Sequence, residues 1–442
     1  MEFKQYPSYK HSGVEWLGDV PEHWQIVRTK DIFNHRKEEA LEDDEIVTAF
    51  RDGQVTLRKN RRTDGFTNSI KEHGYQHINN GDLVIHEMDA FAGAIGVSDS
   101  SGKSTPVYTV CYAKNENINH HFYSHFFRTM AKTGFINSLA KGIRVRSTEF
   151  RWNESRNVYL VEPPKSDQQK IVAFLDTETT RIDNLIAKQE KLIELLEEQR
   201  KSIISHAVTK GLNPNAPMKD SGVEWLGNVP EHWTVLKNRH IFNFSKGLSI
   251  TKENLQESGI PCVSYGEVHS KFGFEFNPEI NDMKFVSEEY LKTSKNCLLN
   301  SGDFIFADTS EDFEGSGNFS YLNSNSQVFA GYHTVIARLK SKQKPRFFAY
   351  IFDSNAHRKQ IQTQVKGIKV FSITQGILKD IYSWLPPVHE QDLIVEYLDN
   401  ECKKISLLKA KQIELIEKLK AYRSSIISHA VTGKIDVREF GA

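Results

Sequence analysis

The thirteen-residue segment SGVEWLGDVPEHW begins at Ser12 and recurs as SGVEWLGNVPEHW at Ser221, with Asp19 against Asn228 as the one difference. Two tryptophans, a proline and two glycines do not recur in register by chance. The chain is therefore built from an internal duplication. The match runs on to Ile32-Phe33 and Ile241-Phe242. A second repeat follows each copy: PPKSDQQKIVAFLD begins at Pro163 and PPVHEQDLIVEYLD at Pro386, and they end in SIISHAVTKG and SIISHAVTGK. The stretches between, roughly 34 to 162 and 243 to 385, resemble each other far less. The order is opening segment, variable body, helix, given twice.

The downstream repeat reads as a helix. Apolar residues recur about every 3.5 positions at Leu175, Ile182, Leu185, Leu192, Leu196 and Ile203, and again at Leu398, Ile405, Leu408, Leu415, Leu419 and Ile426. Gln189 and Gln412 occupy matching seam positions, where a polar residue can set register and partner. No proline or glycine interrupts either stretch, so each helix can run about 40 residues, or about 60 Å. Two such stripes in one chain predict an antiparallel coiled coil; the simpler alternative is that each helix covers its own domain. The bodies read as α+β. DLVIHEM, PVYTVCYA, DFIFADT and HTVIARL have the look of short strands, and HHFYSHFFRTMAKTGFINSLA and RFFAYIFDSNAHRKQIQTQV of helices.

With 57 basic and 57 acidic side chains the formal net charge is zero, unlike a generic nucleic-acid binder. The charge is segregated, however. Arg338, Lys340, Lys342, Lys344, Arg346, Arg358, Lys359, Lys366 and Lys369 face only Asp353 in their stretch. Arg128, Lys132, Lys141, Arg144, Arg146, Arg151 and Arg156 stand in the matching part of the first body, against Glu149 and Glu154, and LRKNRR at Leu57–Arg62 is another basic knot. Such clusters are the footprint of a phosphate-tracking surface, or else solvated faces of surface helices.

Several chemistries are excluded by spacing. GVSDSSGKST lacks the glycine that four intervening residues should separate from its Gly-Lys pair, where Val97 stands, so it is no phosphate loop. No HExxH, paired-cysteine metal motif, GxGxxG or adenine-holding Asn/Asp-Pro-Pro-aromatic motif occurs. The repeated His206 and His429 read as core or cap residues. The four cysteines are scattered, no apolar run is long enough to span a membrane and no secretory signal opens the chain, so a cytoplasmic location is expected. The chain is expected to be non-catalytic, with no metal or cofactor of its own.

Together the doubled SGVEWLG…VPEHW segments, the PPxxxQ helix starts and the SIISHAVT helix ends resemble the DNA-specificity subunit of type I restriction–modification systems, over nearly the whole chain. GDLVIHEMDAFAGAIGVS and GDFIFADTSEDFEGSG look like the central strands of that family's target-recognition domains. The resemblance implies two such domains, at 1–162 and 211–385, joined by helices at 163–210 and 386–442 in a pseudo-two-fold repeat. It also implies double-stranded DNA, two methyltransferase subunits and, through them, endonuclease subunits as partners, with S-adenosylmethionine, ATP and magnesium on those partners. Each body would read half of a bipartite, asymmetric target, with the helices as the ruler between the halves. The chain's two ends would meet and mimic the unbroken connection VTKGLNPNAPMKDSG. Charge, loop position and motif match nominate Arg58, Lys59, Arg61, Arg62, Met88, Lys141, Arg144 and Arg146 for DNA contact in the first body. In the second they nominate Lys246, Tyr265, Thr309, Ser310, Lys366 and Lys369. The rival reading is a coiled-coil scaffold that reads no DNA.

Overall fold

The computed structural model describes residues 3–61, 73–139, 150–367 and 370–440. The chain forms two compact units, one made of 1–190 with 413–442 and the other of 191–412. Both boundaries fall inside long helices, Lys165–Lys210 of 46 residues and Val388–Val431 of 44. Each unit thus owns one globular body, part of the first long helix and the complementary part of the second. The class is α+β.

In the first unit, β1 (Phe33–His35), β2 (Leu83–His86), β3 (Ile95–Val97) and β4 (Tyr108–Ala113) form an antiparallel sheet in the order β1-β4-β2-β3. Helix α1 (His120–Lys132) presents Phe122, Tyr123, Phe126, Phe127 and Met130 at helical spacing to the core, and all five are buried. The second unit repeats the plan with β5 (Phe242–Lys246), β6 (Glu275–Phe276), β7 (Phe304–Ala307), β8 (Phe319–Leu322) and β9 (Thr334–Leu339), in the order β5-β9-β7-β8-β6. Helix α2 (Pro345–Asp353) buries Phe347, Phe348, Ile351 and Phe352. Ala113 pairs with Phe33 in one unit and Leu339 with Phe242 in the other, so the duplicated Ile-Phe pair sets the same register twice.

Identical turns begin the central strands. Gly81 and Gly302 adopt φ of +90° and +89°, a left-handed conformation that glycine tolerates. The aspartates that follow accept backbone N–H groups from Asn79 (2.8 Å) and Asn300 (2.7 Å). Asp82 also receives two bonds from Arg36, and Asp303 from Arg338. The carboxylate is repeated, while its guanidinium comes from a different neighbouring segment in each unit.

The repeated motifs tie the bodies to the long helices. Trp24 and Trp233 are fully buried. Trp24 Nε1 and His23 Nε2 both reach Asp167 Oδ2, at 3.5 and 2.9 Å. Trp233 and His232 reach Glu390 at 3.2 and 2.8 Å. The glutamine of PPxxxQ is a clamp. Gln168 Nε2 donates to the carbonyls of Pro163 (2.8 Å) and Asn117 (3.1 Å), and its Oε1 accepts from the amide of Asn119, the N-cap of α1. Gln391 donates likewise to the Pro386 carbonyl (2.9 Å) and, in place of a second carbonyl, to the side-chain oxygen of Gln343 (2.6 Å), and its Oε1 accepts from the amide of Lys344, the residue that caps α2. Both glutamines are fully buried. Replacing Gln168 by alanine removes three hydrogen bonds, one of them to a buried carbonyl, so Q168A is expected to cost about 2 kcal/mol. Thermal or urea denaturation of Q168A checks this.

The long helices pair antiparallel within each unit. Asp183 meets Arg423 in the first (2.8 and 3.1 Å), and Glu197 meets Lys409 in the second. The expected 3.5-residue seam is corrected in part. Leu175, Ile182, Leu196, Leu398, Ile405 and Ile426 are buried, and Leu185, Gln189, Ile203, Gln412 and Leu419 are half-buried. Leu192, Leu408 and Leu415 are 39%, 44% and 40% exposed and lie off the seam. The reason is geometric: a strict heptad drifts about 20° per repeat around a straight α-helix. The packed line instead recurs every eleven residues and consists of isoleucine alone. Ile171, Ile182, Ile193 and Ile204 form it on one helix, and Ile394, Ile405, Ile416 and Ile427 on the other. All are buried except the half-buried Ile193. Eleven residues in three turns is about 3.67 per turn, close to the natural helical period. His206 and His429, expected in a core or cap, are exposed.

In the first unit the two chain ends meet. The Asp436 amide donates to the Lys4 carbonyl (2.8 Å), Lys4 pairs with Glu439 (2.7 Å), and Phe3 and Phe440 both pack on Phe174. Lys434 donates to the carbonyls of Leu17 and Asp19, and Lys210 to that of Asn228, the counterpart of Asp19. A lysine at the end of each long repeat therefore makes the same contact with its unit's opening segment.

His357 is fully buried, and neither ring nitrogen has a partner. Burial, with Arg358 adding to it, pushes its pKa down to about 3. The unfolded chain then binds a proton below about pH 6.5 that the folded chain does not, so stability falls as pH falls from 6.5 towards 3. At pH 5 the loss is about 2 kcal/mol. H357F is expected to remove that acid-sensitive component, measured as the difference in denaturant midpoint between pH 7 and pH 5.

Candidate nucleic-acid interface

Each unit carries an open cleft beyond the C-terminal end of its central strand. In the first unit β2 ends at His86, and the cleft, about 610 Å³, is lined by Thr48, Phe50, Arg51, Asp52, Arg58, Arg61, Asp89 and Tyr108 together with His86. The hairpin of Val47–Ala49 with Val55–Leu57 brings Arg58 and Arg61 there. Arg61 pairs with Asp52 (2.6 Å) and lies over the Phe50 ring, Arg51 pairs with Asp89 (2.9 Å), and Arg58 donates to Thr48 Oγ1 (3.3 Å). His86 Nδ1 accepts the Asp89 amide, and burial lowers the histidine's pKa. The neutral ring therefore keeps Nε2 as a donor.

In the second unit β7 runs into Thr309 and Ser310, and the cleft, about 560 Å³, includes Tyr265, His269, Thr309, Glu311, Asp312 and His333. A hydrogen-bond chain holds Thr309: Arg358 donates to Asn318 (2.9 Å), Asn318 to His269 Nδ1 (2.9 Å), and His269 Nε2 to the Thr309 carbonyl (2.7 Å). His333 has φ +54°, the one non-glycine residue with positive φ among the described residues. Its ring packs edge-on against Tyr265. Backbone strain held at a cleft wall is characteristic of binding sites.

Of the nominated residues, the structure gathers Arg58 and Arg61 in one cleft and Tyr265, Thr309 and Ser310 in the other. Ser310 is buried and its hydroxyl donates to the Asp312 carbonyl (2.7 Å), so it shapes the loop. Lys59 is exposed and paired with Glu45, and Met88 is 44% exposed. Lys246 and Lys366 are exposed and line neither cleft. Arg62, Lys141, Arg144, Arg146 and Lys369 lie outside the described residues. Sequence reasoning missed Arg51, His86, Tyr108, His269 and His333. His86 was visible at the end of the DLVIH strand, but nothing local paired it with Tyr108, 22 residues on. Among the described residues no group of three or more His, Cys, Asp or Glu could hold a metal ion, and no helix is long and apolar enough to cross a membrane.

The model of the type I restriction modification DNA specificity domain matches residues 21–197 and 230–418, one copy for each repeat. The chain belongs to this family. It is 25% identical to the type I restriction enzyme MjaVIII specificity subunit of Methanocaldococcus jannaschii, over 95% of this chain and 94% of that one. To the EcoKI specificity subunit of Escherichia coli it is 23% identical, over 95% and 90%. Among solved structures, a chain from work on complex assembly and conformational transition of the type I R-M system superposes with a TM-score of 0.68 at 16% identity, covering 93% of this chain and 98% of that one. The HsdS subunit from Thermoanaerobacter tengcongensis gives 0.55 at 15% identity, covering 94% and 98%. At these identities the structures speak for the fold. Both copies of the family model include the strand, the cleft loop and the start of a long helix.

Proposed function

We propose that this chain is the DNA-specificity subunit of a type I restriction–modification complex, with each cleft reading one half of a bipartite target. The single observation that carries the reading is the pair of clefts at the same end of the duplicated central strand, lined by different chemistry. The first cleft offers Arg51, Arg58 and Arg61, side chains suited to the O6 and N7 acceptors of guanine. The described residues lining the second include no lysine or arginine and offer Thr309, Glu311 and Asp312, acceptors suited to exocyclic amino groups. Two unlike clefts on like scaffolds give an asymmetric target.

On this reading the subunit is non-catalytic: it reads DNA and assembles partners, and they do the chemistry. Two methyltransferase subunits, one for each duplicated opening segment, fit the repeat, with endonuclease subunits joining through them. Leu192, Leu195, Leu407, Leu408, Ile413 and Leu415 are exposed along the long helices and supply apolar surface for such partners. The setting is the cytoplasm, where the partners meet DNA. The recognition domains are taken as 1–162 and 211–385, with 163–210 and 386–442 as the connecting helices.

Arg51→Ala in the assembled complex tests the assignment of the first cleft. It is expected to relax one position of one half-site, with about 10- to 100-fold less discrimination there and the other half-site unchanged. A uniform loss across all sequences would make Arg51 a phosphate contact instead.

A further inference from the structure

A second basic feature of the first unit lies outside its cleft. Helix α1 lines a pocket of about 260 Å³ with His125, Arg128, Thr129 and Lys132, one face at i, i+3, i+4 and i+7. The end of the second long helix closes it with Ser424, Ser425, Ser428 and His429. The Nδ1 of His125 and the Nε of Arg128 are sealed from solvent, and neither has a hydrogen-bond partner. Arg128 makes no ion pair with any described residue, and its guanidinium lies so close over Gly53 that a Cβ there would sit 2.4 Å from it. Burial and then the neighbouring Arg423 lower the pKa of Arg128, while Asp52 opposes them more weakly. Lys132 is lowered by burial, Arg128 and Arg423 in turn. Arg423 gives its own two hydrogen bonds to Asp183.

The duplication supplies the control. Aligned on their phenylalanines, FYSHFFR at Phe122–Arg128 corresponds to FFAYIFD at Phe347–Asp353, and YRSSIISHAV corresponds to QRKSIISHAV. Arg128 therefore stands where the second unit has Asp353, and Arg423 where it has Arg200. In the second unit those two close an ion pair at 3.2 Å. In the first, the carboxylate is replaced by a cation, so the described residues lining the pocket bring positive charge and hydroxyls and no carboxylate, with Asp52 acting on Arg128 only weakly from outside it. Arg128 is half-buried with its Nε sealed and unpartnered, Lys132 beside it is exposed, and an anion in the pocket would complete the pairing that Asp353 supplies in the second unit.

We infer that this pocket holds a phosphate group. Two cationic side chains, His125, and the hydroxyls of Thr129, Ser424, Ser425 and Ser428 line a space with room for a tetrahedral oxyanion and accompanying water. A DNA backbone phosphate and free inorganic phosphate share that chemistry.

The test is titration of the full chain with inorganic phosphate, against sodium chloride of matched ionic strength, followed by calorimetry. Saturable binding is expected, weakened at least tenfold in R128D and in K132Q. R128D recreates the pair seen in the second unit and is expected to raise the melting temperature in the absence of phosphate, which separates loss of binding from loss of folding. The salt dependence of DNA binding by the assembled complex then distinguishes the sources. A slope reduced by about one in R128D assigns the group to DNA, and an unchanged slope assigns it to a free anion. No saturable binding by the unsubstituted chain, or equal binding by both variants, overturns the inference. So does weakened methyltransferase association in R128D without any phosphate binding, which would give the pocket to a partner's carboxylate.

Discussion

Lengthening both long helices by 22 residues is expected to lengthen the spacer between the two DNA half-sites by about 10 base pairs and to leave both half-sites unchanged. The insertion would go between Glu190 and Lys191 and between Gln412 and Ile413, where the compact units divide. Twenty-two residues are two isoleucine repeats, so the packed line resumes in register on both helices. They add about 33 Å at 1.5 Å per residue, and one turn of B-DNA is about 34–36 Å. An insertion of 11 residues keeps the helices equally well packed but adds about 16.5 Å, half a turn. It would aim the two clefts at opposite faces of the duplex and abolish methylation. The contrast between 11 and 22 separates a ruler from a mere tether, because a flexible connection would tolerate both. A spacer unaltered by the 22-residue insertion would contradict the ruler.

The second large effect is expected at the cleft of the second unit. Y265A and T309A together remove the aromatic wall that holds His333 and the side chain at the end of the central strand. With about 1–3 kcal/mol for each lost base contact, discrimination in the second half-site should fall by about 10³-fold. Recognition of the first half-site should remain, as should the thermal stability of the first unit. Competition binding of the assembled complex against single-base variants of each half-site measures this. A loss spread evenly over both half-sites would mean that the cleft holds the backbone and reads no base.

The duplication, the two long helices and the helical and strand segments of the bodies were all legible, because each is written in local pattern. The purpose of individual motif residues was less so. PPxxxQ announced a helix start, but the glutamine's second target, the cap of α1 about fifty residues upstream, is a tertiary fact. The seam was misread for a definable reason. Leu192, Leu408 and Leu415 satisfy a 3.5-residue template on paper, and only burial shows that the eleven-residue isoleucine line displaces them. Tyr265 and Thr309 could be nominated singly, whereas their meeting depends on strand pairings across more than forty residues. The charge reversal between Arg128 and Asp353 was hidden because the bodies have diverged too far to align until their helices are superimposed on the same core.

The central claim is that one chain reads two unlike half-sites at a fixed separation. Base-resolution mapping of methylated adenines, in cells expressing this chain with its cognate methyltransferase subunit, tests it most directly. A single split motif is predicted, with two different half-sites, a spacer of constant length and one methylated adenine in each half. A continuous motif, a palindromic one, or no new methylation despite a stable co-purified complex would contradict it.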